Sequence, residues 1–514
     1  MKTLLATFIL LLTFNPLFAQ TSLHEIGLSN GPYAVGFTHY TSHDSTRLYS
    51  RILDYTKEKI PRPITTSIWY PSEEKVNGLS PVTVKDYVRI LAEEEEWEYL
   101  PDYYLLDWFR DLPNSPQNQQ HLIEKSTAYF DLTWSDGSHP TVIYSPSYQA
   151  SSVENFALCE YLASHGYVVI SSPSRGADTR YLEGGTVKEL ETQARDIEFL
   201  IDKAIQIPSV NPKKIAAMGF SFGGLSNVLS QTRDNRIKAV VSLDGSIKYA
   251  YKTLQESLFF KIENANVPFI HMAQKDIPKE VLKSDNLDES LNNEFAFFEE
   301  LSQNDAFQLK FLHMTHSYFS TFGLLFGNRD PRQDHADSLI MESYGIVAEY
   351  TLNFLNAYLQ NQSEAIQYLN SSPEENKIGT GYLTIKRNEI TKKASFDFSD
   401  FNDLTKADDY ISINETYDSL KSIYPDLELP EGKLNYLGLQ LLYNRETTPK
   451  SIRVFEFATQ IYPTSANLFD SLGEAYLYQG DTSMSIVNYQ KSLDLNPQNE
   501  NAATVLKRLK GVNN

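Results

Sequence analysis

The stretch Lys214-Ile215-Ala216-Ala217-Met218-Gly219-Phe220-Ser221-Phe222-Gly223-Gly224-Leu225 decides the fold. Its first half is an apolar run that reads as a strand. Residues 225–229 then open a helix. Between them, Gly219 to Gly223 fits G-x-S-x-G, the strand-to-helix turn that exposes a serine nucleophile. The pentapeptide alone carries little weight; the strand before it and the helix after it give it meaning. A serine on so sharp a turn sits in strained backbone, and side chains at the flanking glycines would collide with it. Gly224 leaves room for the helix to pack closely on the strand. The alternative is an ordinary glycine-rich turn.

Working outward, short apolar runs recur at residues 141–144, 167–171, 215–220, 237–243, 267–272 and 307–314, with helix-length segments between them. Strands alternating with helices predict an α/β class: a mostly parallel sheet with helices on both faces. Such sheets bind ligands at the carboxyl ends of their strands. Two further strand candidates, residues 33–40 and 64–70, precede this region. Residues 81–133 read as helical and acidic. The run Glu93-Glu94-Glu95-Glu96 reads as a solvated helix face. The aromatic cluster from Trp97 to Phe109 reads as a cover for the core or the wall of a pocket.

A serine nucleophile needs a base, and the base an orienting acid, in the chain order serine, acid, histidine on this fold. His316 follows the last strand candidate. His313 lies within that strand and reads as a structural histidine, and His335 falls beyond the last strand. For the acid, Asp244 ends the run 239–243 and Asp276 follows a strand later. Asp244-Gly245 could equally be a turn, and Asp276 a helix N-cap. The pattern leaves both open. An oxyanion hole takes one N–H from the residue after the nucleophile, Phe222, and one from the loop Tyr144-Ser145-Pro146-Ser147-Tyr148.

Over residues 31–360 the chain resembles the α/β-hydrolase group of plasma platelet-activating-factor acetylhydrolase and its bacterial relatives. The resemblance rests on Gly31-Pro32-Tyr33-Ala34-Val35-Gly36, Ser67-Ile68-Trp69-Tyr70-Pro71 and Leu162-Ala163-Ser164-His165-Gly166-Tyr167. It continues through Gly219 to Gly224, Leu243-Asp244-Gly245, and His316 with Phe319. It implies a serine hydrolase acting on a small-molecule ester through Ser221, Asp244 and His316, with no cofactor and no metal. It also implies Tyr148 as the second oxyanion donor. Pro146-Ser147 departs from the His-Gly usual there, which bears on the geometry of that donor. Dienelactone-hydrolase relatives of this fold use a cysteine nucleophile, and Ser221 argues against their activity. The competing readings are a serine exopeptidase, which favours Asp276, and a non-catalytic hydrolase fold that presents the C-terminal segment.

The hydrolase domain is expected over residues 20–370, with a polar connector over 371–431. Residues 432–514 then hold an internal repeat. Phe455 and Tyr489, Ala458 and Ser492, and Pro463 and Pro497 are each separated by one period of 34, slipping by one residue at Gly438 and Gly473. With Leu-Gly-x-x-Tyr in one first helix, the pattern resembles the tetratricopeptide repeat, closed by a capping helix over 502–510. That resemblance implies a surface for a protein partner.

Composition bounds the remaining possibilities. The chain has 514 residues, 41% of them hydrophobic and 22% charged, which excludes a disordered or collagen-like polymer. A formal net charge of −21 repels phosphate backbones, so no nucleic-acid partner is expected. Cys159 is the one cysteine, which excludes an intramolecular disulfide. Residues 1–19 read as a signal peptide, with Lys2, an apolar stretch and Ala19 at the cleavage point, so the chain is expected to be secreted or periplasmic. No later apolar run is of membrane-spanning length. In an exporting bacterial host the mature chain is expected to begin at Gln20, read by intact mass; a chain retaining Met1 would mean an uncleaved anchor.

Overall fold

The computed structural model describes residues 21–109, 112–301, 303–388, 397–424 and 427–511. The expected signal peptide lies outside them. The chain divides into two units, Met1–Thr391 and Lys392–Asn514.

In the first unit the apolar runs become strands: β1 (Ala34–Tyr49), β2 (Ile60–Ser72), β3 (Ala128–Phe130), β4 (His139–Ser145) and β5 (Val168–Ser171). They continue as β6 (Val210–Phe220), β7 (Ile237–Leu243), β8 (Phe269–Ala273), β9 (Ala306–Phe311) and β10 (Leu383–Asn388). They form one ten-stranded sheet in the order β10-β9-β8-β7-β6-β4-β5-β2-β1-β3. The stretch from β5 through β4, β6, β7 and β8 to β9 is parallel. β2 runs antiparallel to both β1 and β5. This is the α/β-hydrolase fold.

Alternate side chains of a strand point to opposite faces, and both faces here are covered, so the central strands are apolar at consecutive positions. Val142 and Tyr144 of β4, with Ala216, Met218 and Phe220 of β6, face the helices Phe156–Ser164 and Asp337–Gln360. Ile143, Ile215 and Ala217 face the helices Val187–Ala204 and Phe222–Arg233.

Three regions differ from their sequence reading. Residues 81–133 hold the helix Val84–Glu94, capped by Thr83 with Asp86, and shorter helices, but also strand β3 on the edge beside β1. The acidic run is not a solvated face. Glu94 is buried and accepts hydrogen bonds from Ser151 Oγ (2.5 Å), Ser152 N–H (3.1 Å) and Ser152 Oγ. Glu95 pairs with Arg175 (2.8 Å), and Glu96 accepts from Tyr49 Oη (3.0 Å) and Ile52 N–H (3.1 Å). Residues 371–431, read above as a connector, supply β10 to the sheet and the helices Phe398–Lys406 and Ile413–Ile423 to the second unit. As an edge strand, β10 has one covered neighbour and mostly exposed side chains, so its sequence is polar.

Among its described residues the second unit is all-α. Two helical hairpins follow one another, Glu431–Leu442 with Thr448–Ile461, and Ala466–Gln479 with Thr482–Leu495, and Glu500–Gly511 closes the series. Their contacts repeat. A Cβ at Gly438 would lie 2.4 Å from the Phe455 ring, and one at Gly473 would lie 2.9 Å from the Tyr489 ring. Ser451 Oγ donates to the Gly438 carbonyl (2.7 Å) as Ser485 Oγ does to that of Gly473 (2.8 Å).

A buried ion pair ties the β1–β2 hairpin to the sheet's cover. Arg62 reaches both carboxylate oxygens of Asp196 (3.0 and 2.6 Å) and the Gly176 carbonyl (2.5 Å), and Arg47 adds a third contact to Asp196 (2.6 Å). Removing one partner of a buried pair strands the other charge, at about 3–5 kcal/mol. Asp196→Ala is therefore expected to lower unfolding stability by about that amount. Urea denaturation measures it, and a loss under about 1 kcal/mol would mean that water reaches these guanidinium groups.

Candidate active site

Ser221 ends β6 and immediately precedes the helix Phe222–Arg233, with φ 52° and ψ −118°. This backbone is strained for any residue with a side chain. Its neighbours hold it. The Ser221 N–H donates to the Leu243 carbonyl (3.1 Å), and the Ser221 carbonyl accepts from Ser246 N–H (2.7 Å) and Gly224 N–H (3.0 Å). The flanking glycines are obligatory by contact: a Cβ at Gly223 would sit 2.0 Å from the Ser145 carbonyl oxygen, and one at Gly219 would sit 2.5 Å from the Gly223 carbonyl carbon.

His316 lies just after β9, in the turn His316–Phe319, and Asp244 directly follows β7. The structure brings them together with Ser221. His316 Nδ1 is 2.6 Å from Asp244 Oδ2, and His316 Nε2 is 2.9 Å from Ser221 Oγ. An ionised carboxylate can only accept, so Nδ1 carries the ring proton and Nε2 accepts from the serine hydroxyl. The imidazole side chain is 42% exposed, while that of Asp244 is wholly buried. Burial by itself pushes the Asp244 carboxyl up. The His316 hydrogen bond and charge, the nearby His271 and the Gln274 N–H outweigh it, and the group stays below the usual carboxylate range. Asp244 Oδ1 also accepts from Tyr249 Oη and Gln274 N–H, both at 3.1 Å.

The other candidates lie elsewhere. Asp276 is on the surface in an ion pair with Lys310 (2.6 Å). His313 packs edge-on against the rings of His335 (4.7 Å) and Tyr382 (5.1 Å). Tyr148 and Phe222 stand beside the serine with their rings 5.8 Å apart. Among the described residues neither of their N–H groups is spent on another hydrogen bond, so both are free to meet a developing oxyanion.

The sequence reading missed three supports. Gln274 donates its N–H to Asp244 and accepts from the His316 N–H (3.1 Å), joining acid and base through one residue. Tyr249 completes the carboxylate's shell. Glu154 is buried in the cavity wall. A polar residue just past a parallel strand was the available signal for Gln274 alone. The site opens into a cavity of about 760 Å³ whose walls include Phe109, Tyr148, Phe220, Phe322 and Glu154. Phe109 comes from the segment before β3, which holds part of the aromatic cluster noted in the sequence. No group of three or more His, Cys, Asp or Glu side chains among the described residues is placed to hold a metal ion.

A model of the dienelactone hydrolase family matches residues 133–299. The match covers less than half of the chain, includes Ser221 and Asp244, and ends before His316. No curated protein matches the chain. Among solved structures it is similar to a ferulic acid esterase from Streptomyces cinnamoneus, at 17% identity and a TM-score of 0.44, over 70% of this chain and 97% of that one. A likeness of that size leaves the reading of the site to the geometry above.

The hydrogen bonds separate the two acids experimentally. Removing the acid from a triad costs on the order of 10⁴ in rate. Asp244→Asn is expected to slow fluorophosphonate labelling of Ser221 by about that factor, and Asp276→Asn to leave it unchanged. Loss on Asp276→Asn instead would mean that the relay rearranges in solution.

Proposed function

We propose that the chain is a serine hydrolase of carboxylic esters that works through an acyl-enzyme. The observation that carries this reading is the unbroken path from Ser221 Oγ through His316 to Asp244, at the carboxyl edge of the sheet and open to a cavity. Ser221 Oγ attacks the ester carbonyl as its proton passes to His316 Nε2, and the N–H groups of Tyr148 and Phe222 receive the oxyanion. His316 returns that proton to the departing alcohol. Water, deprotonated by the same nitrogen, then releases the acid. Asp244 stabilises the imidazolium in both steps.

The partial family match supports an ester hydrolase, and Ser221 at the turn, where dienelactone-hydrolase relatives carry cysteine, supports an oxygen nucleophile. The finer reading is of short acyl or acetyl esters, lipids among them, as in the acetylhydrolase group. The cavity wall mixes Phe109 and Phe322, which suit an acyl chain, with polar side chains such as Gln149 and Asn328. The exopeptidase reading favoured Asp276, which is paired with Lys310 instead. We read the C-terminal hairpins as tetratricopeptide repeats that offer a protein-binding surface, and the enzyme as secreted or periplasmic.

A series of p-nitrophenyl esters of increasing acyl length tests the reading against Ser221→Ala. The wild type is expected to turn over the short members best, and the variant to fold normally and lose about 10⁶ in kcat. Equal activity in wild type and variant would overturn the proposal.

A further inference from the structure

The loop that carries the Tyr148 N–H leaves the end of β4 and is held from outside the sheet. Glu154 lies seven residues on, just before the helix Phe156–Ser164, and is buried. Its carboxylate takes both polar hydrogens of Ser147: the N–H at 2.8 Å on Oε2 and the hydroxyl at 2.5 Å on Oε1. Tyr144 Oη, at the end of β4, approaches the same Oε2 at 3.4 Å. Among the described residues no Lys or Arg forms an ion pair with Glu154. Burial pushes its carboxyl up to about 7, against the pull of the Ser147 and Tyr144 bonds and of nearby His316.

The same two residues also grip the other side of the site. The Glu154 carbonyl accepts from Phe322 N–H (3.1 Å). Asn155 donates to the Phe319 carbonyl (3.0 Å) and accepts from Thr321 N–H (3.0 Å), three and five residues past His316. Residues 154 and 155 thus bracket the oxyanion loop and the histidine turn from one point.

We propose that Glu154 is a positioning residue that holds the Tyr148 N–H in the oxyanion hole by clamping Ser147. This rests on the ester-hydrolase reading. A carboxylate bonded to both hydrogens of the residue before the donor fixes the direction of the following peptide. A loop without that clamp lets the donor swing away, and losing an oxyanion donor outright costs about 10²–10³ in kcat. Glu154→Gln keeps size, shape and both contacts, its amide oxygen accepting from the Ser147 N–H and its amide nitrogen donating to the Ser147 hydroxyl, whereas Glu154→Leu removes both. Ser147→Ala removes only the hydroxyl bond and keeps the other.

The test uses the full-length enzyme and measures kcat, KM and melting temperature. It also measures the inhibition constant of an alkyl boronic acid, whose tetrahedral adduct mimics the oxyanion. Glu154→Leu is expected to lower kcat by about 10–100-fold with KM nearly unchanged and to weaken boronate inhibition by the same factor, and Glu154→Gln to restore most of both. Ser147→Ala should follow in the same direction by less. A residue that merely supports packing would lower the melting temperature without this matched loss. If Glu154→Leu does not fold, Ser147→Ala alone decides by the same split. Wild-type kcat and boronate affinity in folded Glu154→Leu overturn the positioning role while leaving the hydrolase reading intact. A wild type inert to esters and to fluorophosphonate overturns both.

Discussion

The left-handed backbone at Ser221 is the constraint on which the site depends. A φ of 52° costs energy at a serine, and the turn persists because three hydrogen bonds over-determine it. Two of them run to residues 243 and 246, on either side of Asp244. The element that strains Ser221 is therefore the element that carries Asp244. The contact of Gly223 with the Ser145 carbonyl ties the same turn to β4 and the loop bearing Tyr148. Three strands end at one place, and the chemistry assembles there because their loops cannot separate.

Carboxylates do much of the remaining structural work, in spite of a surface charge that suggests they serve solvation. Glu94 fixes Ser151 and Ser152, Glu154 fixes Ser147, and Glu160 accepts from Tyr87 Oη (2.6 Å) and Thr127 N–H (3.0 Å). Each is buried, and burial raises each carboxyl above its usual range. Each is held by hydroxyl and amide donors, with Arg175 also acting on Glu94. Ser147, Ser151, Ser152 and Thr127 lie outside the strands and helices, so there the buried acids stand where a sheet would otherwise pair the backbone. The acidic helix end near residue 94 and the segment after the Tyr148 loop are joined in this way, and Phe109 and Leu112 stand in the wall of the cavity.

The central sheet was legible because burial on both faces writes continuous apolar runs, and residues 237–243 form a strand with those very ends. Ser221 and His316 were legible because their positions follow from strand order. The edges were not. β3 and β10 pair on one side only, so their sequences lack the signature of a central strand. The acidic run misled because charge pattern says nothing of what faces it: its partners Ser151, Ser152 and Arg175 lie more than fifty residues away in sequence. Glu154 escaped because its grip on Ser147, seven residues back, follows no helix or strand period, and Gln274 because its place after a strand does not show that it joins Asp244 to His316.

The choice between the two acids shows what the sequence pattern lacked. Asp244 and Asp276 follow the neighbouring parallel strands β7 and β8 at the correct edge, and local spacing treats them alike. Their surroundings do not. Asp276 is more than half exposed and neutralised by Lys310, so an imidazolium would gain little from it through water. Asp244 is excluded from water, accepts two further hydrogen bonds on its other oxygen, and has His316 as its ionic partner. In that setting the buried carboxylate fixes the imidazole through Nδ1, and the ring's Nε2 is left facing the Ser221 hydroxyl at the edge of the cavity.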